Sequence, residues 1–278
     1  MIPIGFFHTL TIVRNTSVGL FLTDGTNEIL LPLKYVPEHA TIGETMKVFV
    51  YLDHEERPVA TTLEPYITLN QFGWLRVSYT NQFGAFMDWG LEKDIFVPFN
   101  EQARPMQEGR RYMIYLSLDP KTNRLIGSSK LNQYLDNENL TVSEGDEVDL
   151  MVSHITDLGV NVIINQKHKG LVYQNEIFQT VRPGDVLKGF IKTIRPDGKI
   201  DVSFEKLGRE RIEENAQKIL DLLKKGRGFL PLNDNSNPDD IKSVLQMSKK
   251  TFKKAVGTLY KEKLITIEEN GIALVYNV

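Results

Sequence analysis

Cysteine is absent from the 278 residues. That excludes a disulfide framework, a thiolate zinc site and a cysteine nucleophile. Long apolar runs are missing as well, and nothing approaches the ~20 consecutive apolar residues of a membrane span. Met1 to Val13 holds no lysine or arginine and alternates like a strand, unlike the basic-then-apolar pattern of a secretory leader. The five histidines (His8, His39, His54, His154, His168) lie scattered, none at the short spacing of a metal pair, and read as surface or turn residues. No Gly-x-x-x-x-Gly-Lys loop occurs, and Gly226-Arg227-Gly228 lacks the third glycine and the preceding strand of a dinucleotide fingerprint. The acidic pair Glu55-Glu56 and the run Glu144-Gly145-Asp146-Glu147 fall at turns and strand starts, where solvated charge is the default. The chain therefore reads as a cytoplasmic, non-enzymatic globular protein with no metal, no cofactor and no membrane partner.

Charge of one sign is also lacking. The net charge is −3, but it is unevenly spread. From Lys206 onward 14 basic residues face 10 acidic ones, whereas the first 205 residues hold 19 basic and 26 acidic. Nucleic-acid contact in the first part must then use a local face rather than a global field.

What is present is a repeat. Gly19 to Gly43 spans 24 residues, Gly84 to Gly109 spans 25, and Gly159 to Gly184 spans 25. An alternating run precedes each first glycine: Phe7 to Val13, Trp74 to Tyr79, and Val148 to Ser153. A second strand pattern follows each second glycine, at Met46 to Leu52, Tyr112 to Leu118 and Val186 to Ile194. Short final strands close the units at Pro58 to Thr62, Leu125 to Ser129 and Ile200 to Phe204. Units of about 60 to 70 residues with five short strands read as small barrels. Each can bury only a small core, so packing between neighbours is expected to help.

The middle unit carries the sharpest motif: Asn81-Gln82-Phe83-Gly84-Ala85-Phe86-Met87-Asp88, Ile95-Phe96-Val97-Pro98, Gly109, Asp119 and Arg124-Leu125-Ile126-Gly127-Ser128-Ser129. It resembles the ribosomal S-one-type RNA-binding motif, a five-stranded oligonucleotide-binding barrel. The first unit keeps Phe21 and Arg57, with Val18 at the first aromatic position. The third has Leu158 and Asn161 at the aromatic positions, Tyr173 where the family commonly has histidine, and Lys199 at the arginine position. Pro32 and Pro98 also replace that histidine.

Single-stranded nucleic acid is held by bases stacking on aromatic faces and cations tracking phosphates. The resemblance implies that Phe83 and Phe86 share a binding surface, which requires Gly84 to bend the chain between them. Arg124 and Asp119 would then meet a phosphate or a base edge. Aromatics in strands more often fill cores, and the motif in register is what favours the surface reading. Phe21 with Arg57, and Tyr173 with Lys199, are the corresponding candidates in the outer units.

From Arg209 the apolar period lengthens to that of a helix, through Ile212, Ala216, Ile219, Leu220 and Leu223, with Gly226 as the stop. Asn237-Pro238-Asp239-Asp240 starts a second helix carrying Ile241, Val244 and Leu245. Ser248 caps a third, with Phe252, Ala255, Val256, Leu259 and Tyr260 on one side and Lys250, Lys253, Lys254 and Lys261 opposite. Asn270-Gly271 marks a tight hairpin. Three helices and a hairpin make a winged helix, which can enter a major groove. Its outward face holds lysines rather than base-reading arginine or asparagine, which suits backbone contact.

The fold class is thus mainly β and multidomain, with three tandem five-stranded barrels before an α+β winged helix. The expected bounds are 1–64, 70–132, 143–206 and 209–278. Together with Arg227 to Asp234 and Met247 to Gly257, the repeats resemble the bacterial conserved virulence factor B family across almost the whole chain. The resemblance implies an RNA-binding regulator of gene expression, without a reaction or a metal. A DNA-binding regulator acting through the winged helix is the alternative. A nuclease, to which such barrels are often appended, would need carboxylate clusters or a histidine base that the sequence does not supply.

Overall fold

A computed structural model describes residues 1–205 and 209–275, the side chains of residues 209–212 excepted. Ile212, expected in the first helical stripe, has its side chain outside that set, and Lys206 and the last three residues lie outside it altogether. The chain divides into two compact units, Met1–Tyr134 and Leu135–Val278.

In the first unit β1 (Phe6–Thr16), β2 (Gly19–Thr23), β3 (Glu28–Pro32), β4 (Thr45–Leu52) and β5 (Pro58–Thr61) close a barrel in the order β1-β2-β3-β5-β4. A second barrel repeats this connectivity with β6 (Phe72–Asn81), β7 (Gly84–Asp88), β8 (Ile95–Pro98), β9 (Arg111–Leu118) and β10 (Leu125–Ser128). The second unit holds a third, built from β11 (Glu147–Thr156), β12 (Gly159–Ile164), β13 (His168–Tyr173), β14 (Val186–Ile194) and β15 (Ile200–Ser203). Third and fifth strands pair in parallel in every barrel, as at Leu30↔Val59, Phe96↔Ile126 and Gly170↔Ile200.

The two glycine series that set the repeat have different physical jobs. A Cβ on Gly19, Gly84 or Gly159 would lie 2.1, 2.3 or 2.0 Å from the carbonyl oxygen of Leu31, Val97 or Val172. No side chain fits there, because two strands approach too closely. Gly43, Gly109 and Gly184 instead sit at φ of 95°, 75° and 93°, a conformation open to glycine at no steric cost. Their N–H groups donate to the carbonyls of Ile12, Val77 and Val152 at 2.8, 2.9 and 2.8 Å. Those carbonyls flank a bulge in the first strand of each barrel.

Alternation fills the interiors: Leu10, Ile12, Leu20 and Leu22 in the first barrel, and Leu75, Val77, Ala85 and Met87 in the second. The first two barrels also share apolar contacts. Phe49 and Tyr51 of β4 meet Trp89 edge-on, with centroids 5.6 and 6.5 Å away, and all three are buried in one cluster with the second barrel's core. Neighbour packing therefore supplements the small cores.

The scattered-histidine reading fails at His168, which is fully buried. Its Nδ1 meets the Asp136 carbonyl, and its Nε2 lies 2.7 Å from the Thr141 hydroxyl. Both partners come from the segment leading into β11, so the ring anchors that segment to its barrel.

After the third barrel come α1 (Arg209–Lys225), β16 (Phe229–Leu230), α2 (Pro238–Leu245), α3 (Lys249–Lys261), β17 (Ile265–Glu268) and β18 (Gly271–Leu274), with sheet order β16-β18-β17. The caps are those expected: Asn237 accepts from the Asp239 N–H ahead of Pro238, and Ser248 accepts from the Thr251 N–H. Four details differ. The left-handed exit from α1 falls on Arg227 and Gly228 rather than Gly226. Val244 and Tyr260 are 49% and 57% exposed. Each lies one residue, about 100° of rotation, from the inward Leu245 or Leu259. Gly271 opens β18 rather than forming the turn; a Cβ there would sit 2.3 Å from the Leu230 carbonyl oxygen of the neighbouring strand.

Candidate nucleic-acid interface

The bulge in β6 between Val77 and Tyr79 shifts the phase of the strand, so that Tyr79 stands directly opposite Phe86 of β7. Phe86 in turn pairs with Phe96 of β8. The Tyr79 and Phe86 rings stack at 4.4 Å and 10°, and Phe96 tilts against Phe86 at 5.1 Å and 38°. Three adjacent strands thus present a row of rings. Phe83 is not a strand residue but sits in the tight turn ahead of Gly84. The Asn81 side-chain oxygen accepts from the Phe83 and Gly84 N–H groups at 2.8 and 3.3 Å, which fixes this turn. Phe83 is 62% exposed and Phe86 half-buried.

Both phenylalanines line one cavity of about 690 Å³, together with Tyr79, Trp89 and Phe96. Its other wall comes from the first barrel, through Tyr51, Leu52, His54 and Glu56. Sequence reasoning missed that wall, because it depends on how two barrels pack. It also missed Tyr79, whose direction depends on the bulge.

The polar rim is a linked set. Glu56 Oε1 accepts from Lys93 Nζ at 2.8 Å, and Arg124 Nε approaches Oε2 at 3.1 Å as an ion pair. Lys93 also donates to the Asp53 carbonyl at 2.8 Å. Glu92 is paired with Lys34, which holds its carboxyl below the usual range. Asp94 is half-buried, and burial pushes its carboxyl up, against the opposing pull of a Ser78 hydrogen bond. Asp119 does not reach this rim. Its carboxylate accepts from the Thr122 hydroxyl at 2.6 Å within its own turn, which lowers its pKa. Asp119 and Arg124 are joined through the backbone instead, by the Asp119 N–H and the Arg124 carbonyl at 2.8 Å.

The outer barrels carry altered versions. In the first, the Arg14 guanidinium lies 3.5 Å above the Phe21 ring and pairs with Glu28 at 2.8 Å, so a cation covers that face. Arg57 is held by Asp53 and Glu55, each at 2.8 Å. Neither Phe21 nor Arg57 lines the cavity. In the third, Lys199 folds onto Asp197 at 2.7 Å. The cation beside Tyr173 is Arg195, which bonds the tyrosine hydroxyl and pairs with Asp201 at 2.8 Å. Arg195 takes the turn position held by Asp53 and Asp119, since its N–H closes onto the Lys199 carbonyl at 2.9 Å.

The S1 domain model matches residues 4–63, the first barrel, and the CvfB-like winged helix domain model matches residues 217–274. Conserved virulence factor B of Staphylococcus saprophyticus is 30% identical over 241 residues, 84% of this chain and 80% of that protein. The chain belongs to the conserved virulence factor B family. An uncharacterized protein of Bacillus subtilis, YitL, is 29% identical over 95% of this chain and 90% of its own length. A crystal structure of a multidomain protein with nucleic acid binding domains from Streptococcus pneumoniae is 28% identical over 98% of each chain, with a TM-score of 0.43. The two matched domain types point to nucleic-acid binding rather than catalysis. No helix among the described residues is long and apolar enough to cross a membrane.

In this conserved virulence factor B family member, α3 of the winged helix turns Lys250, Lys253, Lys254 and Lys261 to solvent. Lys253 reaches Asp234 at 3.5 Å. Lys250, Lys254 and Lys261 form no ion pair among the described residues, which leaves three cations on one exposed face.

Proposed function

We propose that this chain is a non-enzymatic, cytoplasmic regulator of gene expression that binds single-stranded RNA at the middle barrel. The observation that carries this is the exposed Phe83 ring beside the Tyr79–Phe86–Phe96 row, around a cavity rimmed by Lys93 and Arg124. Rings open on one face suit base stacking, and cations on the rim suit the phosphates between bases. The barrels and the winged helix act here as four domains, with bounds at 1–64, 70–132, 143–206 and 209–278. Lys250, Lys254 and Lys261 would add sequence-independent backbone contact, to RNA or to duplex DNA.

Fluorescence anisotropy with RNA, single-stranded DNA and duplex DNA at two salt concentrations tests the reading. Single-stranded RNA should bind most tightly and weaken with salt. Phe83→Ala should cost about 1–3 kcal/mol of that affinity. Equal binding by the wild type and by Phe83→Ala and Phe86→Ala variants would overturn it. Duplex binding that survives both substitutions would favour the winged helix as the working surface. RNA should stay intact on incubation with magnesium or manganese.

A further inference from the structure

We propose that the aromatic cavity of the middle barrel selects guanine, reading its Watson–Crick edge with the carboxylate of Asp94. The inference rests on the RNA-binding reading above. Three carboxylates line the cavity: Glu56, Glu92 and Asp94. Two of them are already engaged by cations, Glu56 by Lys93 and Arg124, and Glu92 by Lys34. Asp94 differs. It is half-buried, and no lysine or arginine comes within ion-pair distance of it among the described residues. Its residue lies just before β8, beside the strand that supplies Phe96 to the aromatic row.

A carboxylate only accepts, and its two oxygens offer about four acceptor sites. The base that matches is the one with two adjacent donors. Guanine presents N1–H and N2–H side by side. Adenine and cytosine each set one amino group beside a ring acceptor. Uracil flanks its single N–H with two carbonyls, which an anion repels. Such edges are open to protein in single strands, where bases can be splayed out and stacked. The cavity volume of about 690 Å³ falls within the range of roughly 300–1,000 Å³ usual for small-ligand sites, so a purine can enter. Stacking on the rings would hold any base, and the polar edge at Asp94 would sort them.

The test uses the full chain and three fluorescent oligonucleotides: uridine throughout, the same strand with one central guanosine, and the same with inosine at that position. The wild type should prefer the guanosine strand about tenfold over uridine. Inosine, which keeps N1–H and lacks the amino group, should fall between. Asp94→Asn, which swaps one acceptor for a donor, should weaken the guanosine strand and strengthen the uridine strand, bringing the ratio to about one. A thermal melt checks that the variant is folded. Phe86→Ala, which removes the platform, should weaken all three strands together.

The two readings fail differently. If no strand binds, or Phe86→Ala binds all of them like the wild type, the RNA reading at this face falls and guanine selection with it. If Phe86→Ala weakens every strand but the wild type treats guanosine and uridine alike, guanine selection alone is wrong. The same holds if Asp94→Asn keeps the full preference.

Discussion

Tyr79 and Phe86 stand directly opposite each other on neighbouring strands, their rings 4.4 Å apart and 10° from parallel. The stack backs Phe86 with a second ring and so fixes its orientation; a base stacking there, as proposed, would meet a face already set. Tyr79→Ala should cost about 0.5–1.5 kcal/mol of stability, the usual worth of an aromatic pair beyond its buried area. It should also weaken RNA binding. Tyr79→Phe should restore both, because the stack needs the ring and not the hydroxyl. Urea unfolding followed by tryptophan fluorescence measures the first effect, since Trp74 lies within β6 and Trp89 directly follows β7.

The glycines of that barrel separate on substitution. Gly84→Ala places a methyl 2.3 Å from the Val97 carbonyl oxygen and should cost about 2 kcal/mol or more. Gly109→Ala meets no atom within 4 Å and strains only its φ of 75°, so about 1 kcal/mol is expected. The same urea titration ranks them. Equal costs would contradict the two separate roles.

Glu56 occupies a left-handed backbone position, at φ of 63°, where Asn123 and Gly198 stand in the equivalent turns of the other barrels. Glutamate is a poor choice there, and asparagine a good one. Glu56→Asn should keep the turn while freeing Lys93 and Arg124. RNA affinity at low salt should then rise, and the slope of log affinity against log salt should steepen by about 0.7 for each cation released to a phosphate.

If Asp94 reads guanine as proposed, it links binding to pH. Burial holds its carboxyl above the ordinary value, opposed by Ser78, Arg76 and His54 and reinforced by Asp88, with Tyr79 also close enough to feel its charge. A group with a raised folded pKa binds its proton more tightly folded than unfolded. Its contribution to stability therefore improves as pH falls through the raised value and worsens as pH rises through that window. Asp94→Asn should remove this dependence and raise the melting temperature at neutral pH. In the wild type, acidification through the same window should erode the preference for guanosine, because a protonated carboxyl offers a donor where guanine needs an acceptor.

On α3, replacing Lys250, Lys254 and Lys261 together with alanine should lower nucleic-acid affinity without sequence preference. The salt slope on a single strand should fall by about 2, at roughly 0.7 per lysine. An unchanged slope would remove this face from the binding surface.

The barrels were legible because strand alternation and the glycine spacing report purely local events: a strand pleat, a turn, a close approach of two backbones. The exposure of Phe83 follows the motif for a related reason, since Asn81 builds its turn from adjacent residues. The rest of the cavity wall is not local. His54 and Glu56 arrive from another barrel, and no period in the sequence says which barrels touch. Tyr79 is hidden by the bulge, which reverses the side that simple alternation assigns to it. Asp119, expected beside Arg124 at a phosphate or base edge, turns its carboxylate to the Thr122 hydroxyl of its own turn, a local contact that the motif does not announce.

The bulge has a consequence for how three similar barrels can differ. In each, the residue just past it faces a fixed partner on the next strand: Arg14 with Phe21, Tyr79 with Phe86, His154 with Asn161. These pairs lie outside the buried interiors, while the bond from Gly43, Gly109 or Gly184 keeps the geometry beneath them the same. The surface chemistry at this position can therefore change from cation on ring, to ring on ring, to imidazole beside amide, while the scaffold that displays the pair stays the same.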